Sequence, residues 1–181
     1  MSNQTSVDRL FIESKAILAA IPDSEISVKN SASDLMRKAL LLGAASYFEH
    51  RVTAGILDYV MESVQDSQRV FHLVKNKAVS RNYHTWFQWD QANANGFFSM
   101  FGPEFKEAMD RRVKSTETLS RGVRAFLELG NDRNKLVHGD FASFAMEKTL
   151  DEIYTSYQEA ATFVEDVRVS LRSDNAVQSA R

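Results

Sequence analysis

The sequence predicts an all-α protein, an antiparallel bundle of four to five main helices. Apolar residues recur at three- and four-residue intervals along most of the chain, only two prolines and seven glycines interrupt its 181 residues, and strand patterns are hard to find. A chain of this length buries one sizeable core, so residues 1–172 are expected to form a single domain. The remainder, residues 173–181, has no apolar period and reads as a flexible tail.

The first helix is expected over Ser6 to Ala20, with Leu10, Phe11, Ile17 and Leu18 inward and Pro22-Asp23 as its stop. Ser31, with Asp34 three residues later, resembles a capping box and is expected to open a long second helix ending near Val64. Its inward face would carry Leu35, Ala39, Leu42, Ser46 and Tyr47, and Gly43-Ala44-Ala45-Ser46 would let another helix come close. A third helix covers Ser67 to Val79, and turn residues fill Asp90 to Gly96. Gly102-Pro103-Glu104 has proline in a first turn and an acid at the positive end of the helix dipole. From there one helix is expected to reach Leu129 on the stripe Phe105, Met109, Val113, Thr116, Leu119, Val123, Phe126 and Leu127. Gly130 would cap it, Gly130-Asn131-Asp132 would form an elbow, and a short helix ending at Gly139 would follow. A last helix begins near Ser143, burying Leu150, Ile153, Tyr157, Ala160, Val164, Val167 and Leu171.

Composition removes several function classes. There is no cysteine, hence no disulfide, thiolate metal site or catalytic thiol, which fits a reducing cytoplasmic setting. No apolar run approaches the roughly 20 residues that span a bilayer, and Met1-Ser2-Asn3-Gln4-Thr5 lacks the order of a signal peptide, so no membrane association is expected. His50, His72 and His84 have no metal-ligand spacing, and neither a phosphate-binding glycine loop nor Gly-x-Ser-x-Gly occurs. No metal or cofactor is implied.

A net charge of -2 gives no global attraction to nucleic acid, so any RNA contact must be local. Between Arg69 and Trp89 no acid occurs, while Arg69, Lys75, Lys77 and Arg81 alternate with His72, Tyr83, His84, Trp86, Phe87 and Trp89. Cations that hold phosphates and rings that stack on unpaired bases suit single-stranded RNA. Core packing of the rings beneath a solvated cationic face is the commoner outcome for such residues. A second basic stretch, Arg111, Arg112, Lys114, Arg121 and Arg124, leads into Arg133-Asn134-Lys135-Leu136-Val137-His138-Gly139-Asp140.

This last segment carries the functional argument. With thirteen arginines and four histidines, about one Arg-x(4 to 6)-His pair arises by chance. Requiring Asn134 and a fixed spacer lowers that to roughly one or two in a hundred. RNA supplies its own nucleophile, so cleavage needs a base for the 2′-hydroxyl, an acid for the leaving 5′-oxygen, and positive charge on the phosphorane-like transition state. Histidine is the residue type that can serve either proton transfer, a role open to His138; Arg133 offers a planar fork to phosphate oxygens, and Asn134 is a positioning group. A polar helix end without chemistry is the competing reading. On a regular helix Arg133 and His138 lie about 140° apart, so one protomer looks incomplete, and a second copy across a two-fold axis would complete the site.

Arg133, Asn134 and His138 fall on the arginine, polar residue and histidine of the Arg-(polar)-x(3 to 5)-His signature, and here the chain resembles the HEPN superfamily. Trp86-Phe87-Gln88-Trp89-Asp90, Asn95 and Phe101-Gly102-Pro103-Glu104-Phe105 are similar to its RiboL-PSP-type branch. The resemblance implies a HEPN-like four- or five-helix bundle, a homodimer with a composite site, and a ribonuclease of toxin-antitoxin or phage-defence systems, with an antitoxin or defence-operon partner. It also points to Glu49, an acid on the second helix that would face the motif and pair with Arg133 or orient His138; a surface pair with Arg51 or a lysine is the alternative. Lys135, Arg121, Arg124, Lys75, Lys77 and Arg81 are the candidate RNA-binding cations. One departure is His138-Gly139-Asp140, where minimal relatives have His-x-Tyr, so control by tyrosine modification is not expected here. The expected activity is a metal-independent endoribonuclease leaving 2′,3′-cyclic phosphate and 5′-hydroxyl ends. The alternatives are a catalytically silent HEPN-like module that binds RNA or protein, and a helical scaffold.

Overall fold

A computed structural model describes residues 4–64 and 67–178, with side chains described as far as Arg172. Among the described residues there are helices and no strands: α1 (Ser6–Ala20), α2 (Ile26–Ser63), α3 (Gln68–Val74) running into a π-helical stretch (Lys75–Val79), α4 (Tyr83–Trp86), α5 (Asn95–Ser99), α6 (Pro103–Ser115), α7 (Glu117–His138) and α8 (Leu150–Gln178).

Thr5 opens α1 with a reciprocal cap: its side chain accepts from the Asp8 amide, and Asp8 accepts from the Thr5 amide at 2.7 Å. This satisfies two amides that the first turn leaves without partners. Thr149 and Glu152 do the same for α8. Hydrogen bonds and ion pairs between helices show their directions. Thr5 meets Tyr157 and Lys15 meets Asp151, so α1 runs against α8; Arg51–Glu165 and Arg172–Asp58 set α2 parallel to α8; Arg121–Glu159 and Lys148–Asp132 set α7 against it. The long helices therefore alternate in direction, and α7, α8 and α2 enclose the core around Phe48, Phe126 and Phe163.

The expected limits of α1 and the whole inward face of α8 are observed, from Leu150 to Leu171. Elsewhere the structure corrects the expectations. Helix α2 begins at Ile26, five residues early, and Asp34 pairs with Arg37 and Lys38 one turn onward rather than capping. Its buried face is Leu40, Leu41, Ala44, Phe48, Val52 and Ile56, leaving Leu35 exposed, because this set aligns bulky side chains with α7 and α8. Ile17 of α1 also points outward. Gly43 does admit close packing: a Cβ there would lie 3.0 Å from Leu10 of α1. The helix expected from Pro103 to Leu129 is broken at Thr116, whose backbone is extended. The last helix starts at Leu150, not Ser143, since Asp140 turns the chain by accepting from the Ala142 amide and the Ser143 hydroxyl. The tail boundary expected at 172 falls within α8, whose backbone continues to Gln178; residues 179–181 lie outside the described residues.

The largest correction concerns Gly130. No elbow forms there, and α7 passes through Gly130-Asn131-Asp132 to His138 without interruption. The glycine is a packing site: a Cβ would come within 2.0 Å of two ring carbons of Trp89. Helix geometry is kept, and the missing side chain makes room for an indole.

Candidate active site

The C-terminal half of α7 faces the middle of α2, and the segment from Tyr83 to Trp89 crosses over the seam. A narrow cleft forms where the three meet, lined by Glu49 from α2, Tyr83, His84 and Trp89 from the crossing segment, and Gly130, Arg133 and Asn134 from α7. Phe48, Phe126 and Leu129 form its apolar floor. Arg133 and Asn134 are half-buried, and the Arg133 guanidinium donates to the Asn134 side-chain oxygen at 3.1 Å. Asn134, expected to orient the histidine or hold the phosphate, here accepts from the neighbouring arginine through its side-chain oxygen.

Glu49 faces the motif, but its partner is neither Arg133 nor Arg51. Arg51 pairs with Glu165, and the Glu49 carboxylate lies 3.7 Å from Nε2 of His84. Burial pushes the Tyr83 hydroxyl pKa strongly up; the Glu49 charge adds to this and Arg133 opposes it, so Tyr83 stays a neutral wall of the cleft.

His138 is not in this cleft. It is exposed on the last turn of α7, about 7.5 Å along the axis and 140° around from Arg133. The turn itself is anchored by Leu136, which is fully buried, and ends where the Gly139 amide bonds to the Lys135 carbonyl. A Cβ at Gly139 would sit 2.8 Å from that carbonyl. The following loop is tied to α2: Lys38, 1% exposed, donates to the Phe141 carbonyl at 2.9 Å, and Arg37 donates to the Met146 carbonyl at 2.9 Å. Val137 and Phe141, which bracket His138, are 47% and 44% exposed.

The basic candidates divide. Lys135 is exposed and 3.7 Å from Asp132, and Arg121 lies 3.8 Å from Glu159. Arg124 is exposed, and helix geometry places it about 180° from Arg133 but within about 40° of the His138 direction. Arg69, Lys75, Lys77 and Arg81 are exposed and form no ion pair among the described residues. Of their aromatic neighbours, Tyr83, Trp86 and Phe87 are buried and Trp89 packs on Phe126, which removes them from stacking on bases, while His72 and His84 are exposed. Among the described residues no group of three or more His, Asp or Glu side chains is arranged to hold a metal ion, and no helix is long and apolar enough to cross a membrane.

Sequence reasoning placed His84 only within a mixed basic and aromatic stretch. Nothing local marks it out, because its partner Glu49 is brought to it by the packing of α4 on α2.

An all-α bundle with an Arg-Asn-x3-His motif ending its penultimate long helix defines a class of domain, and comparison specifies it. The family described as RiboL-PSP-HEPN matches residues 8–172, nearly the whole chain. The chain therefore belongs to the HEPN superfamily, in its RiboL-PSP branch. No curated protein and no solved structure matches it.

Proposed function

We propose that this domain is a metal-independent endoribonuclease that cleaves RNA by attack of the 2′-hydroxyl, leaving 2′,3′-cyclic phosphate and 5′-hydroxyl ends. The observation that carries the reading is the pairing of Arg133 with Asn134 at a cleft in a chain of the HEPN family. The held guanidinium offers parallel donors to the non-bridging oxygens of a phosphodiester as negative charge accumulates there. His138 supplies proton transfer.

Because His138 stands outside the cleft of its own chain, the working unit is a homodimer in which two copies of α7 meet and each arginine receives a histidine from the other side. The exposed Val137 and Phe141 support this, as they place apolar surface where such a meeting would occur. The exposed Arg69, Lys75, Lys77 and Arg81 would hold flanking phosphates, which makes binding fall steeply with salt. In its cell the protein would act as a toxin or phage-defence effector, restrained by an antitoxin or a partner encoded beside it.

The same exposed cations support a second reading, a HEPN-like module that binds RNA or a protein without cleaving. Single-turnover cleavage by wild type, Arg133→Ala and His138→Ala, with RNA binding measured in parallel, separates the two. The ribonuclease reading expects both variants to bind but not cleave; wild type that binds without cleaving supports the silent module.

A further inference from the structure

We infer that His84 is a second proton-transfer residue of the cleft and that Glu49 is its positioning residue; the inference rests on the ribonuclease reading above. His84 lines the same cleft as Arg133 and Asn134, whereas His138 does not. An imidazole at the arginine's own cleft supplies, within one chain, the proton donor or acceptor that the motif alone leaves to another copy.

The placement is built rather than incidental. Tyr83 and Trp86, on either side of His84 in α4, are each 6% exposed and anchor the short helix in the core. The His84 carbonyl accepts the Trp89 indole N–H at 3.0 Å, and the Trp89 ring is seated against Gly130. Backbone and flanking residues are thus fixed to α7, the helix that carries Arg133. The imidazole itself remains 42% exposed and reaches Glu49 at 3.7 Å. A carboxylate facing one ring nitrogen orients the ring. The groups that face His84 are Glu49 from α2, Arg133 and Asn134 from α7, and the neutral Tyr83 beside it.

In the step assigned to the site, the 2′-oxygen forms a bond to phosphorus as its proton passes to one histidine. The bond from phosphorus to the 5′-oxygen breaks, and the other histidine delivers a proton to that oxygen. His84 takes one of these two roles and His138 the other, while Arg133 holds the non-bridging oxygens. Glu49 touches no substrate and acts through the ring.

The test is single-turnover cleavage of a mixed single-stranded RNA from pH 5 to 9 by wild type, His84→Asn, Glu49→Gln, Glu49→Asp and His138→Ala. Affinity for a 2′-O-methyl RNA is measured alongside. His84→Asn is expected to lose about 10²- to 10⁴-fold in rate and one limb of the bell-shaped pH profile, while keeping its RNA affinity. Glu49→Gln should lose part of the rate, and Glu49→Asp should recover most of it. His84→Asn with near wild-type rate, or a slowed rate with both limbs intact, overturns the assignment of His84. If wild type cleaves and only His138→Ala is dead, the ribonuclease reading stands and this inference alone fails. Wild type that cleaves nothing overturns both.

Discussion

Replacing Gly130 by alanine tests whether the Trp89 indole is seated where the structure puts it. On propensity alone the change should stabilise α7, since alanine is favoured over glycine in a helix interior by about 1 kcal/mol. The added methyl, however, would lie 2.0 Å from two ring carbons of Trp89, far inside van der Waals contact. A gap of that size is not closed by shifts of a few tenths of an ångström. The ring must leave its place between Gly130 and Phe126, and overpacking of this kind costs about 1–3 kcal/mol. Steric cost offsets or outweighs propensity, and a net loss of up to about 2 kcal/mol is expected, which for a chain of this size lowers Tm by up to several degrees. Displacing the ring also removes the hydrogen bond from its indole to the His84 carbonyl. Thermal melts give the stability change, and the Trp89 indole N–H resonance in a proton–nitrogen spectrum reports the ring. Gly130→Ala that melts higher than wild type with an unmoved indole resonance refutes the reasoning.

Four further outcomes follow from particular contacts. Arg133→Ala should retain the fold and lose about 10²- to 10³-fold in cleavage rate, read in single turnover with a melt as control. Val137→Asp and Phe141→Asp should shift the protein from dimer to monomer in analytical ultracentrifugation and abolish cleavage together. Lys38→Met leaves the Phe141 carbonyl without its donor and should cost about 1–3 kcal/mol in urea denaturation, loosening the loop after His138. For Asp8, burial raises the carboxyl pKa, but hydrogen bonds from the Thr5 amide, the Tyr154 hydroxyl and the Thr5 side chain outweigh it and hold the value below the ordinary 3.8. A folded value below the unfolded one means stabilisation that is complete above about pH 3.8 and is lost as pH falls through the folded value. Asp8→Asn should therefore be less stable than wild type at pH 7, with the gap closing on acidification below that value.

The parts of the fold that were legible in the sequence are those governed by local chemistry or by a strong single stripe. Pro22 stops α1, Gly102-Pro103 starts α6, and the apolar period of α8 is unbroken from Leu150 to Leu171. Where two faces are nearly equal in apolar content, packing decides. In α2 the row with Leu40, Leu41, Ala44 and Phe48 won over the row with Leu35 and Ala39, and the earlier start at Ile26 came with no side-chain cap to announce it. Gly130 shows the same limit: locally it reads as a cap, and only a tryptophan 41 residues earlier gives it another purpose. At the site, Arg133, Asn134 and Glu49 were visible through the motif and the family, and the structure brings them to one cleft. His84 was hidden because its significance lies in the distance to Glu49, which tertiary packing alone creates. The aromatic run beside it was built to fill the core, so its resemblance to a base-stacking surface dissolved on folding.

The proposed cleavage of RNA by this HEPN domain proceeds by 2′-hydroxyl attack with Arg133 and His138 in the active site. Its most direct test is mass spectrometry of the ends produced from a mixed single-stranded RNA by wild-type and His138→Ala protein in excess chelator. Cyclic 2′,3′-phosphate and 5′-hydroxyl ends from wild type, with no products from His138→Ala, are predicted. Products bearing 5′-phosphates, or equal cleavage by the two proteins, would contradict the account.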